Sequence, residues 1–140
     1  MKTPIKILYI EDDPDDVELL EDSLKDYNVH YEMYVINDGG LVSNYLLGDT
    51  QLPDIIVLDL NLPRVHGREI LKKIKVTPSY KDIPLLILTT SSTKEDMEYS
   101  YQHGANRFIK KPTTMEGIKS TIVTIVELAN KSLDTQTSIN

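Results

Sequence analysis

The chain has 140 residues, of which 40% are hydrophobic and 26% are charged, as expected for one soluble globular domain. Its formal net charge of -7 argues against nucleic acid or an anionic membrane as a direct partner, and the lack of cysteine excludes disulfides and thiolate chemistry. No apolar run approaches the roughly 20 residues of a membrane span, and the N-terminus lacks a signal-peptide cleavage region, so we expect a cytoplasmic protein.

Five apolar stretches alternate with five stretches of helical character, which predicts five strands and five helices. The predicted strands are Ile5–Ile10, Tyr31–Asn37, Ile55–Leu58, Ile83–Leu88 and Arg107–Lys110. The predicted helices begin near Pro14, Leu41, Arg68, Thr93 and Met115 and end near Tyr27, Leu47, Lys75, His103 and Lys131. We expect one domain over residues 1–133 and a disordered polar tail over residues 134–140.

Capping residues mark several of these helix starts. Asp13 precedes a proline and is interpreted as the N-cap of the first helix rather than as a metal ligand. Thr93 with Asp96, and Thr113 with Glu116, have the spacing of capping boxes for the fourth and fifth helices.

The third predicted strand, Ile55–Leu58, is apolar at every position, which is typical of a central parallel strand covered on both faces. The second strand alternates more and is expected near an edge. Strands that alternate with helices imply parallel pairing with right-handed crossovers. We therefore predict an α/β fold with a five-stranded parallel sheet in the order 2-1-3-4-5 and helices on both faces.

Polar side chains follow four of the five predicted strands at their carboxyl ends, which meet at one edge of a parallel sheet. They are Glu11, Asp12, Asp13, Asp59, Thr89, Thr90, Lys110 and Lys111. Each has an ordinary explanation when it is taken singly, such as helix capping or surface exposure. Their joint occurrence at the ligand-binding edge indicates a functional site.

Crowded carboxylates repel one another by about 4 kcal/mol per close pair at an effective dielectric constant of about 20, so this cluster needs a cation. Hard oxygen ligands with no histidine nearby favour Mg²⁺. Asp59 can act as a nucleophile and become an acyl phosphate, while the metal holds a phosphoryl oxygen. A lysine after the fifth strand and a threonine after the fourth would bind the other phosphoryl oxygens.

The motifs YIEDDP, VLDLNLP with Gly67, LTTS, GANRFI and KKP resemble those of the receiver domains of two-component response regulators, over about Ile5–Leu133. The resemblance implies a flavodoxin-like fold, Mg²⁺ dependence and phosphotransfer from a sensor histidine kinase to an aspartate. Such a protein is a phosphoacceptor that catalyses only its own phosphorylation and dephosphorylation.

The resemblance also implies individual roles for the site residues. Asp59 would be the phosphoacceptor, and the metal ligands would be Asp12, Asp59 and the backbone carbonyl of Asn61. Glu11 would act on the metal through water, and Thr89 would be the switch hydroxyl that moves upon phosphorylation.

Lys111, rather than Lys110, matches the phosphoryl-binding lysine of the family because it precedes Pro112, and the bond between Lys111 and Pro112 is expected to be cis. Phe108 matches the switch aromatic. Thr90 is larger than the alanine or glycine that many receivers carry, and we expect it to narrow access to the phosphoacceptor.

The segments EDDPDD, LPRVHGREIL, VTPSYKDIP and LTTSS more closely resemble single-domain receivers that occur with bacterial phytochromes. The partner would then be a phytochrome-type, light-sensing histidine kinase. Output is expected as a population shift at the face formed by the fourth helix, the fifth strand and the fifth helix, which an unidentified downstream protein would read. Val123, Val126 and Leu128 widen the apolar stripe of the last helix, which fits either ordinary packing or a homodimer surface.

Two other functions stay open. The segment Asp59–Asn61 superficially resembles the Asp-x-Asp motif of Mg²⁺-dependent aspartyl-phosphate phosphatases, although Asn61 cannot act as their general acid. A pseudo-receiver would bind partners without being phosphorylated. A nucleotide-binding module is disfavoured because both G-x-G-x-x-G and P-loop motifs are missing.

Overall fold

The computed structural model describes the backbone of residues 3–48, 51–63, 65–91 and 93–138, with side chains up to Lys131. The strands are β1 (Ile5–Ile10), β2 (Tyr31–Ile36), β3 (Ile55–Leu58), β4 (Leu85–Thr89) and β5 (Arg107–Lys110). The helices are α1 (Pro14–Asp26), α2 (Val42–Leu47, after a 3-10 turn at Gly39–Leu41), α3 (Gly67–Val76), α4 (Lys94–Gln102) and α5 (Met115–Ser138).

The five strands form one parallel sheet in the order β2-β1-β3-β4-β5, so the predicted order is confirmed. The register aligns Ile10 at the end of β1 with Leu58 at the end of β3. Thr89 at the end of β4 is aligned with Lys110 on β5. The residues that follow these strands are therefore brought together at one edge by backbone pairing alone.

Helices cover both faces of the sheet, and β3 shows why its sequence is apolar throughout. Ile56 and Leu58 lie in a core with α2, α3 and α4, while Ile55 and Val57 lie in a core with α1 and α5. All four side chains are fully buried. Burial of each such side chain stabilises the fold by roughly 1.5–3 kcal/mol. No helix in the described part of the chain is long and apolar enough to cross a membrane.

Two features of α5 differ from the predictions. Thr114, not Thr113, caps α5, because its hydroxyl accepts the N–H of Gly117 at 3.1 Å. The sequence pattern could not separate two adjacent threonines.

Helix α5 also extends to Ser138, beyond the predicted end at Lys131 and into the segment that we expected to be disordered. No proline or glycine follows Gly117 to stop the helix. Residues 139 and 140 of the predicted tail lie outside the described range.

The apolar stripe of α5 is divided between the core and a surface groove. Leu128 is buried in the core between the sheet, α1 and α5, which agrees with ordinary packing rather than with a homodimer surface. Val123 and Val126 line a groove beside the α1–β2 connection, together with Tyr27 and Val29. These valines therefore do not favour a dimer through the face of α4, β5 and α5.

Candidate functional site

Asp59 lies directly after β3 and is almost fully buried, with 3% of its surface exposed. Its backbone N–H donates to the carbonyl of Ile10 at 3.1 Å, which ties it to β1. Its Oδ1 accepts the N–H of Asn61 at 3.1 Å. A buried carboxylate at a strand end, with an oxygen held by a backbone amide, is fixed in position before any ligand arrives.

The start of α3 packs directly on this Asp59 loop, and Gly67 makes the contact possible. A Cβ atom at position 67 would lie 2.4 Å from the Cα of Leu60 and 2.7 Å from the carbonyl oxygen of Asp59. The N–H of Gly67 donates to the carbonyl of Leu60 at 3.0 Å. A side chain here must displace backbone, not a flexible side chain.

We expect Gly67→Ala to lower the free energy of unfolding by at least about 2 kcal/mol, since overpacking against backbone allows little relaxation. Gly48→Ala is the matched control, because its Cβ would meet only ordinary contacts at 3.5 and 3.7 Å. Chemical denaturation should separate the two variants, and equal stabilities would contradict the close approach at Gly67.

Three carboxylates gather at this edge. One oxygen from each of Glu11, Asp12 and Asp59 lies within 4.8 Å of the others. Glu11 and Asp59 are buried, while Asp12 is exposed at the mouth of the cluster. Oxygen donors of this number, open on one side, fit a small hard cation that keeps some of its water, as Mg²⁺ does.

Glu11 is the most constrained acid of the cluster. Its Oε2 accepts the N–H groups of Asp12 at 3.0 Å and Asp13 at 3.3 Å. Burial raises the pKa of Glu11 to about 7 and the negative charge of Asp59 adds to this rise, although the hydrogen bond from Lys111 opposes it. The raised pKa of Glu11 therefore reflects mainly the cost of keeping a charge buried, with a smaller contribution from the neighbouring carboxylate.

Lys111 supplies the positive charge within the described site. Its Nζ lies 2.5 Å from Glu11 Oε1, 2.6 Å from Asp16 Oδ2 and 3.4 Å from Asp59 Oδ2. Burial disfavours the charged ammonium, but the hydrogen bonds to Asp16 and Glu11 outweigh it and raise the pKa of Lys111. The neighbouring Lys110 is exposed, so the structure places Lys111, and not Lys110, in the site.

Asp16 was not among the predicted site residues. It lies in the first turn of α1, where an acid is explained equally well by the helix dipole. The only available signal was its position on the helix that directly follows Glu11 and Asp12 in the sequence.

Hydroxyl and amide groups also lie beside Asp59. Thr89 is fully buried, and its Oγ1 accepts the N–H of Ser91 at 3.2 Å. The side-chain amide of Asn61 donates to Thr90 Oγ1 at 2.9 Å and lies 3.5 Å from Thr89 Oγ1. The Asn61–Thr90 contact links the loops after β3 and β4 beside Asp59.

Phe108 lies on β5, and Pro112 directly follows Lys111. The Phe108 ring is half-buried against the core under α3 and α4, and its backbone N–H donates to the hydroxyl of Tyr101 at 3.0 Å. The bond between Lys111 and Pro112 is trans, so the prediction of a cis bond is wrong. The trans form is the one that an X-Pro bond favours intrinsically, by about 0.5–1 kcal/mol.

A second polar network joins α3 to α4 next to Thr89. Arg68 donates from Nε to Asp96 Oδ1 at 2.8 Å, and its guanidinium lies 4.8 Å from the centre of the Tyr99 ring. The hydroxyl of Ser91 donates to the other oxygen of Asp96. Thr93 caps α4 as predicted, by accepting the N–H of Asp96, but the Asp96 carboxylate turns towards Arg68 and Ser91.

Burial would raise the pKa of Asp96, but hydrogen bonds from Ser91 and Arg68 hold it below its usual range. A carboxyl group with a lowered pKa in the folded protein stabilises the fold above the pKa of the unfolded chain, about 4. That contribution is lost as the pH falls through the pKa of the folded protein.

We therefore expect Asp96→Asn to lower the Tm at pH 7 by about 3 °C, with the difference from the wild type shrinking below about pH 4. Glu98→Gln is the control, because its pairing with Lys94 at 3.8 Å is exposed. Differential scanning calorimetry across this pH range measures both. A pH-independent difference would show that the charge of Asp96 is not responsible.

Comparisons with known proteins agree with this architecture. Residues 7–123 match the response regulator receiver domain family. Response regulator Rcp1 of Synechocystis sp. is 33% identical over 120 residues, which is 82% of this chain and 82% of that protein.

Two solved structures are similar over most of their length. The Mn²⁺-bound form of Rcp1 has a TM-score of 0.77 and 33% identity, and covers 87% of this chain and 91% of its own. The phosphorylated cyanobacterial phytochrome response regulator RcpA has a TM-score of 0.77 and 32% identity, and the match covers 95% of this chain and 96% of RcpA. The chain therefore belongs to the response regulator receiver domain family.

Proposed function

We propose that Asp59 accepts a phosphoryl group from a sensor histidine kinase in a Mg²⁺-dependent reaction, and that a conformational switch carries the signal onward. The main support for this proposal is the set of charged groups that surround the Asp59 carboxylate. Its carboxylate lies within 4.8 Å of Glu11 and Asp12 oxygens and 3.4 Å from the Lys111 ammonium. A carboxylate between a cation-binding cluster and an ammonium group suits attack on an anionic phosphoryl group.

In the proposed reaction, an Asp59 carboxylate oxygen attacks the phosphorus atom of a phosphohistidine and forms a P–O bond. The P–N bond breaks, and its electron pair stays on the imidazole nitrogen, which can take up a proton. The product is a mixed anhydride of Asp59 and phosphate. Lys111 stabilises the charge that Asp59 gains, and burial of Asp59 limits the access of water to the anhydride.

Asp12, Asp59 and the backbone carbonyl of Asn61 would hold Mg²⁺, with Glu11 acting through a water molecule. When bound, the metal supplies positive charge to the transferring phosphoryl oxygens and to the crowded carboxylates. The carboxylate geometry supports this ligand set, and the Mn²⁺-bound state of Rcp1 supports a divalent-metal site in the family.

The switch would pass through Thr89 and Phe108. Thr89 Oγ1 now accepts the N–H of Ser91, so movement of this hydroxyl to a phosphoryl oxygen removes that acceptor and loosens the β4–α4 loop. Phe108 is half-buried and can turn further inward, which changes the surface beside Tyr101 on α4, whose hydroxyl accepts the backbone N–H of Phe108. Both changes alter the face of α4, β5 and α5.

We propose that the chain acts in the cytoplasm and that its kinase partner is a phytochrome-type photoreceptor, which the similarity to the phytochrome response regulator RcpA supports. Homodimerisation through the face of α4, β5 and α5 is a second form of output. Met97 and Tyr101 on α4, with 40% and 46% of their surfaces exposed, provide apolar area for it. Light scattering with and without phosphorylation measures this directly.

The test is incubation with phosphoramidate in Mg²⁺ or in EDTA, followed by intact-mass measurement. We expect one phosphoryl addition in Mg²⁺ and a rate at least 100-fold lower in EDTA, because several kcal/mol of charge stabilisation are lost. Addition that is independent of metal would contradict the Mg²⁺ role. Continuous turnover of a phosphomonoester would instead favour the phosphatase, and no addition from phosphoramidate or a cognate kinase would favour the pseudo-receiver.

A further inference from the structure

The Lys111 ammonium is shared between acids that have different places in the site. Glu11 and Asp59 belong to the carboxylate cluster that fits a metal, but Asp16 does not belong to that group. Even so, Asp16 is one of the two closest partners of Lys111, at 2.6 Å, and Asp59 is 0.8 Å farther away at 3.4 Å. The lysine is therefore held nearer to α1 than to the phosphoacceptor.

The backbone is held in place at both residues of the contact between Lys111 and Asp16. The Lys111 N–H donates to the carbonyl of Thr89 at 2.8 Å, as a continuation of the β4–β5 pairing. Asp16 lies in the first turn of α1, which Asp13 caps and Pro14 begins. Any approach of the ammonium to a phosphoryl group on Asp59 must therefore come from rotation of the flexible Lys111 side chain, and it must weaken the pair with Asp16.

We propose that Asp16 is a positioning residue that holds Lys111 back in the unphosphorylated protein and releases it when Asp59 is phosphorylated. This inference rests on the proposed phosphotransfer function. In the unphosphorylated protein, Asp16 binds the Lys111 ammonium, which a phosphoryl group on Asp59 would also need as a partner. Phosphorylation then has to outweigh the pair of Lys111 with Asp16, which lowers the affinity of the site for phosphoryl-like groups.

Opposite effects on two ligands follow from this arrangement. Asp16→Asn removes a negative charge and weakens the hold on Lys111, so an anion at Asp59 should bind more tightly. The freed ammonium moves closer to Asp59, so Mg²⁺ alone should bind more weakly at the carboxylate cluster. A general loss of stability would weaken both ligands together, which separates positioning from a purely structural role.

Asp15→Asn is the matched control. Asp15 is the neighbouring residue, it is exposed, and its loss removes the same charge from the same turn of α1. Effects of the helix dipole and of net charge are therefore equal in the two variants. Lys110 is an internal standard for lysine reactivity, because it is exposed and precedes Lys111.

The first measurement is amine acetylation of the metal-free protein, with peptide mass spectrometry. We expect the acetylation rate of Lys111 relative to Lys110 to rise at least about threefold in Asp16→Asn and to stay at the wild-type value in Asp15→Asn. Equal ratios of Lys111 to Lys110 acetylation in the two variants would show that Asp16 does not restrain Lys111. This conclusion would hold whether or not the protein can be phosphorylated.

The second measurement is calorimetric titration with Mg²⁺ alone, and with the phosphoryl analogue fluoroberyllate at saturating Mg²⁺. We expect fluoroberyllate to bind Asp16→Asn about tenfold more tightly than it binds Asp15→Asn. We expect Mg²⁺ alone to bind Asp16→Asn severalfold more weakly than it binds Asp15→Asn. Wild-type protein that fails to bind fluoroberyllate would overturn the proposed function and the release step with it. Wild-type binding, with equal affinities in the two variants, would overturn this inference alone.

Discussion

Replacing Lys111 with methionine is expected to lower the free energy of unfolding by about 3 kcal/mol in the absence of divalent metal. Methionine keeps much of the aliphatic packing but leaves Glu11, Asp16 and Asp59 without their ammonium partner. Removing one member of a buried ion pair costs about 3–5 kcal/mol. The expected loss of stability lies at the lower end of this range, because Glu11 has a raised pKa and can take up a proton when its lysine partner is removed.

Saturating Mg²⁺ should stabilise Lys111→Met more than it stabilises the wild type, since the metal now neutralises carboxylates that have lost their lysine. Lys110→Met is the control, because it removes the same charge from an exposed position on β5. Urea denaturation in EDTA and in Mg²⁺ gives all the required free energies. Equal stabilities of the two variants in EDTA would mean that the Lys111 contacts contribute nothing to the fold.

Asp59→Asn is expected to abolish phosphoryl addition and, at the same time, to stabilise the metal-free protein by about 1–2 kcal/mol. Neutralising one of the crowded carboxylates removes part of a repulsion that reaches about 4 kcal/mol per close pair at an effective dielectric constant of about 20. The same change removes a metal ligand, and we expect Mg²⁺ affinity to fall by tenfold or more. Activity and stability therefore move in opposite directions at this residue.

Asp22→Asn removes the same charge from an exposed position on α1 and should leave both stability and Mg²⁺ affinity close to those of the wild type. Unfolding in EDTA and titration with Mg²⁺ measure the two effects separately. A metal-free Asp59→Asn protein that is less stable than the wild type would contradict a repulsive carboxylate cluster.

The sheet could be predicted because its strands are buried on both faces. Such strands are continuous apolar runs, and β3 is the clearest case, with Ile55 and Val57 in one core and Ile56 and Leu58 in the other. Parallel pairing then brings the carboxyl ends of the strands together. The meeting of Glu11, Asp59 and Lys111 therefore follows from topology, without knowledge of side-chain conformations.

The partners of individual side chains could not be predicted in the same way. Asp16 in the first turn of α1 has the pattern of any acid near a helix N-terminus, and only the fold reveals that Lys111 reaches it at 2.6 Å. Arg68 and Asp96 are 28 residues apart in sequence and meet only because α3 and α4 are neighbours. Long polar side chains have several partners within reach, and packing decides between them.

We propose that Asp59 is the residue that carries the phosphoryl group, and chemical trapping of the aspartyl phosphate tests this directly. Protein treated with phosphoramidate and Mg²⁺ should be reduced with borohydride, which converts an aspartyl phosphate to homoserine, and then mapped by peptide mass spectrometry. We predict that homoserine appears at position 59 in the wild type and that Asp59→Asn contains none at any position. Homoserine at another aspartate of the wild type, or phosphoryl addition that persists in Asp59→Asn, would contradict the account.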